Sequence, residues 1–164
     1  HALELAEQTF KRALDQYGES SPFVAQAEAA IAASLLVLNR TAEARNRFES
    51  VLTRQISRLG PTSRESLMTR LNLIDISKRL GDPADQTMKL ISDAMPFVEA
   101  RFGPASTPVA YLLREKTNLL LSDGHITEAR AILNAPGTIA AVRASSPVER
   151  AEWDALQELM KSKG

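Results

Sequence analysis

Glycine preceded by an aromatic residue or leucine recurs at Tyr17-Gly18, Leu59-Gly60 and Phe102-Gly103, 42 and 43 residues apart. A second set of helix-ending residues, Asn39, Gly81 and Gly124, keeps the same spacing of 42 and 43. Turn residues that return at a fixed distance of about 20–50 positions mark a supersecondary unit stacked on copies of itself, because one such unit cannot bury its apolar face alone. The stretch from Leu59 to Gly81, LGPTSRESLMTRLNLIDISKRLG, reads as a helix end, a turn and one whole new helix. The expected unit is therefore a pair of helices.

Composition supports helices and removes several classes of chemistry. Of 164 residues, 44% are apolar but only 5% aromatic, and no run of short alternating strands is present, which together point to an all-α chain. The absence of cysteine excludes disulfides, zinc-thiolate sites and thiol catalysis, and fits a reducing compartment. Twenty basic and twenty acidic residues are interspersed, so the electrostatic footprint of a direct nucleic-acid or anionic-membrane binder is missing. No apolar run approaches the roughly 18 residues needed to span a bilayer. His1 precedes the helical pattern and carries no part of the reading.

Taken in order, residues 2–17 place Leu3, Ala6, Phe10, Ala13 and Leu14 on one helical stripe, and Gly18 stops that helix. Ser21-Pro22 starts a second helix, rich in small residues, that runs to about Leu38. Thr41 is expected to cap a third, with Ala44, Phe48, Val51, Leu52 and Ile56 inward. Thr62 and Glu65 predict a capping box for the fourth helix, which turns Leu67, Leu71, Leu73 and Ile74 inward. Asp82-Pro83 opens the fifth, where Met88, Leu90, Ile91 and Phe97 are candidates for burial and Pro96 is expected to kink the helix or shift its path. Thr107-Pro108 starts the sixth helix and Thr127 the seventh, which Asn134-Ala135-Pro136-Gly137 should break early with a turn. A short helical piece is expected over Thr138 to Arg143, and Ser146, Pro147 and Glu149 predict a capped last helix to about Lys161.

The second helix of each pair carries a spaced triplet, Ala6, Phe10, Ala13 and then Ala44, Phe48, Val51. This resembles the tetratricopeptide signature, in which small residues let paired helices approach. The longer period and the run LGPTSRESLMTRLNL are similar to the kinesin-light-chain type of tetratricopeptide repeat, whose pattern Leu59, Gly60, Pro61, Leu67, Thr69, Arg70, Asn72 and Leu73 match in place. HEAT and armadillo repeats have comparable periods, but the glycine-proline turn and the alanine triplet favour the tetratricopeptide pattern. Gln86 stands where Ala44 and Ala129 stand in the flanking units, and Pro136 falls where a third triplet residue should be, so the array is expected to end there.

The resemblance implies a right-handed α-solenoid of antiparallel helix pairs with a C-terminal capping helix. As one helical-repeat domain over 2–164, it divides into the second helix of a truncated repeat (2–17), repeats over 21–60 and 61–103, a partial repeat over 104–135 and a cap over 138–162. The first helix is of the second type, so its partner is expected upstream in a longer protein. The last helix carries Trp153, Leu156, Leu159 and Met160 on one side, an apolar face suited to covering the final pair.

Catalytic constellations are absent. His125 follows Gly124 in a turn without HExxH-like spacing, Ser20-Ser21 and Ser145-Ser146 precede prolines as helix caps do, and the seven glycines form no phosphate loop. No enzymatic activity, metal or cofactor is expected. The resemblance instead implies a groove lined by the first helix of each pair: Gln26, Ala29, Ala33 and Leu36, then Met68, Leu71, Asn72, Asp75 and Lys78, then Tyr111, Arg114, Glu115, Asn118 and Leu121. Of these, Met68, Asn72, Asp75, Lys78, Tyr111, Arg114 and Asn118 are the candidate partner-binding residues, with Asn72 matching the family asparagine that bonds a peptide backbone. The implied role is a protein- or peptide-binding scaffold in a cytoplasmic bacterial signalling or regulatory protein. Two other readings stay open: a sensory domain that binds a small peptide or metabolite and controls an attached kinase or DNA-binding domain, and self-association as a homodimer.

Overall fold

The structure, a computed structural model, describes residues 1–162. Among these residues there are nine helices and no strand: α1 (Ala2–Tyr17), α2 (Pro22–Val37), α3 (Thr41–Leu59), α4 (Arg64–Leu80), α5 (Ala84–Phe102), α6 (Thr107–Ser122), α7 (Ile126–Asn134), α8 (Pro136–Ala144) and α9 (Pro147–Ser162). The chain forms two compact units, His1–Pro83 and the residues from Ala84 onward.

Both sets of periodic turn residues have positive φ. Gly18, Gly60 and Gly103 lie at 74°, 84° and 82°, and Asn39, Gly81 and Gly124 at 58°, 68° and 79°. At Gly60 an added Cβ would meet no atom within 4 Å, so backbone conformation rather than space asks for glycine there. Asn39 does the same work with a side chain that tolerates the left-handed region. The Arg40 N–H then reaches back to the Leu35 carbonyl at 2.9 Å and closes the end of α2.

In the first unit α1, α2, α3 and α4 pack as consecutive neighbours. Their core joins Ile31, Ala32 and Leu35 of α2 to Ala44 and Phe48 of α3 and to Leu73 and Ile76 of α4, with Leu3, Ala6 and Phe10 of α1 partly buried against them. Ala44 is fully buried, which lets the α2 and α3 backbones approach. The second unit packs Leu120 and Leu121 of α6, Ala129 and Leu133 of α7, and Trp153, Leu156 and Met160 of α9 into one cluster. Trp153 is 1% exposed and donates its indole N–H to the Ala110 carbonyl at 3.2 Å, so it is a core residue of this unit.

Several local expectations change. The α3 N-cap is Arg40, which makes no side-chain cap, because the tight turn through Asn39 draws Thr41 into the first helical turn. Arg40 instead forks onto Glu43 at 2.6 and 2.7 Å. At α4 the cap is Ser63 rather than Thr62, and its Oγ accepts the Ser66 N–H at 3.2 Å. Ser66, fully buried, returns its hydroxyl to the Gly60 carbonyl at 3.0 Å, so a serine pair replaces the expected box with Glu65. At α9 only half of the box forms: Ser146 Oγ accepts the Glu149 N–H at 3.2 Å, while the Glu149 carboxylate turns to Arg114.

The fifth helix corrects the repeat register by one residue. Gln86 is exposed, and Thr87, Ile91 and Ala94 are the buried triplet, each 43 positions beyond Ala44, Phe48 and Val51. The longer spacing of the glycines thus includes the triplet itself. Pro96, the expected site of a kink or path shift, lies inside α5, whose helix continues to Phe102. Asn134-Ala135-Pro136-Gly137 is not an open turn, since Ala135 alone is extended and Pro136 takes the first position of α8, where proline's missing N–H costs nothing.

Candidate functional site

The first unit holds a cavity of about 650 Å³ between α2, α3 and α4. One wall is α2, whose small residues Ala25, Ala29 and Ala33 leave it nearly smooth, with Gln26 at its edge. The facing wall is α4, which contributes Arg64, Glu65, Met68, Thr69 and Asn72. Phe48 and Gln55 of α3 also line it, with Arg54, Arg58 and Leu59 toward the end of that helix. The spacing of Ala25, Ala29 and Ala33 puts every fourth residue of α2 on one face, so the smooth wall follows directly from the alanine-rich sequence.

The arginines of this region divide by engagement. Arg54 donates to the Glu19 carbonyl at 2.7 Å and lies 3.3 Å from Glu28, whose side chain is only 4% exposed. Arg47 approaches the same carboxylate at 3.5 Å and Ser50 donates to it at 3.2 Å. A buried carboxylate on a largely apolar helix is thereby satisfied from α3, which fixes α2 against α3 and places the cavity wall. Arg58 and Arg64, by contrast, are exposed where they line the cavity. At the far end of the unit, Arg45 on α3 pairs with Asp82, which also accepts the Ser77 hydroxyl at 2.7 Å. The bond from Arg45, assisted by Ser77 and outweighing partial burial, holds the Asp82 carboxyl below its ordinary pKa.

The structure distributes the candidate residues as follows. Met68 and Asn72 line the cavity, as do Gln26, Ala29 and Ala33. Leu36 does not; it packs against the core cluster of this unit. Asp75 pairs with Arg79 one turn on at 2.8 Å, and Lys78 is exposed on the same helix. In the second unit Tyr111 and Arg114 come together on α6, the guanidinium 5.6 Å from the ring centroid. Arg114 is also drawn to Glu149 at 2.8 Å and Glu115 at 3.1 Å. Burial alone would lower its pKa, but the bond to Glu149 and the charges of Glu115, Glu149 and Glu152 raise it above the ordinary value. Asn118 is exposed, whereas Glu115 and Leu121, also expected on the open face, are buried at 1% and 7%.

Gln55 and Thr69 are cavity residues that the sequence reading did not single out for function. Thr69 Oγ1 donates to Gln55 Oε1 at 2.8 Å, and both side chains are buried. The available signal was a polar residue standing in the apolar stripe of α3, beside Ile56 and one turn after Val51. Among the described residues no group of three or more His, Asp or Glu side chains is placed to hold a metal, and no helix is long and apolar enough to cross a membrane. His125 sits at the start of α7 with Nδ1 3.0 Å from Glu128, an exposed helix-start contact.

The fold is that of a tetratricopeptide-like helical-repeat domain, an all-α solenoid of antiparallel helix pairs. Among solved structures, the Podosopora anserina putative kinesin light chain with nearly identical TPR-like repeats superposes with a TM-score of 0.69 at 16% identity, covering 98% of this chain and 84% of that one. A second structure, of a single-residue variant of that protein, gives the same values. BtubC (BKLC) from P. vanneervenii superposes with a TM-score of 0.68 at 17% identity over 86% of this chain, which spans 55% of BtubC. At these identities the likeness is one of fold. No family model matches the chain, and no curated protein matches it in sequence.

Proposed function

We propose that the chain is a protein-interaction scaffold whose α2–α4 groove binds an extended peptide segment of a partner. The observation that carries this reading is the cavity itself: a smooth alanine wall, an adaptable methionine on the facing helix and an amide, Asn72, beside it. An extended peptide needs close backbone approach, hydrogen-bond partners for its main chain and apolar contact that adjusts to its side chains. Ala29 and Ala33 give the first, Asn72 the second and Met68 the third. Asp75 and Lys78 continue the surface along α4, and Tyr111, Arg114 and Asn118 are the corresponding candidates on α6. The chemistry of the lining offers no nucleophile with an adjacent base, which favours binding over catalysis.

In this reading the domain serves a bacterial signalling or regulatory protein. The test is selection of short random peptides displayed on phage against the purified chain, followed by affinity measurement. Asn72→Ala is expected to weaken the selected peptides by about 1–3 kcal/mol, the cost of an unpaired buried backbone group, without changing the melting temperature. Equal affinity for wild type and Asn72→Ala would remove Asn72 from the binding surface.

A further inference from the structure

We infer that the side-chain amide of Gln55 is a specificity-determining hydrogen-bond donor of this groove, held in place by Thr69 to take a carbonyl oxygen of the occupant. The inference rests on the groove reading for its ligand but on separate atoms for its evidence. Gln55 is 9% exposed and Thr69 4%, an unusual setting for a glutamine. A carboxamide has two N–H donors as well as its carbonyl. The carbonyl is accounted for, because Oε1 accepts the Thr69 hydroxyl at 2.8 Å. Among the described residues no protein acceptor takes the amide N–H groups, and yet the nitrogen is not sealed from solvent-accessible space. The open space beside it is the cavity that Gln55 lines.

The consequence is a fixed donor against apolar walls. Ala25, Ala29, Phe48 and Met68 border the same cavity, so an occupant that seals it displaces the water available to the amide. An occupant with a carbonyl oxygen at that depth replaces the lost hydrogen bond; one with an alkyl group leaves the donor unpaired and is rejected. Thr69 is the positioning residue. By donating to Oε1 it fixes which end of the amide faces the cavity and restricts rotation about the last side-chain bond. The acceptor belongs to a peptide backbone carbonyl or to an Asn or Gln side-chain carboxamide, which share this chemistry.

Two measurements on the full chain decide the assignment. In the first, N,N-dimethylacetamide, which accepts but cannot donate, is titrated into nitrogen-15-labelled protein while the side-chain amide signals are followed; Gln55→Glu identifies the Gln55 pair by its loss. A saturable downfield shift confined to the Gln55 pair is expected, and no shift, or one shared equally by all side-chain amides, would overturn the inference. In the second, a display-selected peptide is measured against variants. Gln55→Met is expected to weaken it at least about tenfold, and Gln55→Glu, which keeps the bond from Thr69 but replaces the donor by an acceptor, to weaken it similarly. Thr69→Val should cost less than either. Replacing each peptide carbonyl in turn by a thioamide locates a backbone acceptor, and alanine scanning locates a side-chain one. A peptide that loses affinity on Asn72→Ala but not on Gln55→Met or Gln55→Glu would leave the groove reading standing and remove this one. Failure to select any groove-directed peptide would remove the groove reading, with the dimethylacetamide titration still deciding the role of Gln55.

Discussion

Arg114 on α6 donates Nε–H to Glu149 at 2.8 Å and Nη2–H to the other carboxylate oxygen at 3.3 Å, a two-pronged bond that fastens the first turn of α9. Thr107 reinforces it by accepting the Ser146 N–H at 3.1 Å. The guanidinium is mostly buried, so its charge is compensated chiefly by these carboxylates rather than by water. A role of Arg114 in partner recognition has to be compatible with this structural duty.

Glu149→Ala should therefore destabilise the second unit by about 1.5–3 kcal/mol, the range for a hydrogen bond to a charged group. Replacing Arg114 and Glu149 together should cost less than the sum of the two single replacements, because the bond between them is lost only once, although the double variant also takes Arg114 from the buried Glu115, 3.1 Å away. Urea unfolding of the single and double variants checks both. A double variant that loses the sum of the single effects would show that the two side chains do not act as a pair.

Acid should weaken the junction of α3 and α4 through Asp82. Its folded pKa is held below the ordinary value of 3.8 by Arg45 and Ser77. A carboxyl depressed on folding contributes stability that is fully present above its unfolded pKa and is lost as pH falls through the folded one. Wild type should accordingly exceed Asp82→Asn in stability at neutral pH, and the difference should shrink below about pH 4. Melting temperatures recorded from neutral pH downward test this; parallel curves for the two proteins would contradict it.

The fold was largely legible from turn chemistry. Positive-φ residues at a regular interval and apolar stripes between them located the helices, since both are local consequences of sequence. Contacts were harder to read. The caps at Ser63 and Arg40 depend on how tightly the preceding turn closes, which no residue type announces. The fifth-helix register slipped because Gln86 and Thr87 are both polar, and only packing reveals that the smaller one enters the core. Asn72 and Met68 could be placed on the cavity wall by periodicity and resemblance. Gln55 could not, because a glutamine in an apolar stripe reads equally as a helix edge until the Thr69 hydroxyl is seen beside it.

That register is open to a direct test. Gln86→Ala, at an exposed position, should change stability by less than about 0.5 kcal/mol, whereas Thr87→Leu should overpack the core and cost about 1–3 kcal/mol. Phe48→Ala should cost about 3–5 kcal/mol, because a large buried side chain leaves a cavity where Ile31 and Leu35 meet it. Denaturant midpoints for the three variants decide the matter, and a Phe48→Ala loss below about 1 kcal/mol would place that side chain outside the core.

A partner segment is expected to lie in the space between α2 and α4. Ala29 is a wall residue there, and its small side chain is what keeps the space open. The decisive measurement is the fluorescence anisotropy of a labelled, display-selected peptide titrated with wild type and with Ala29→Trp, each checked for an unchanged melting temperature. Affinity should fall at least about a hundredfold in the variant, because an indole occupies volume the peptide needs. Undiminished binding by a folded Ala29→Trp protein would rule out this groove and place recognition on another surface.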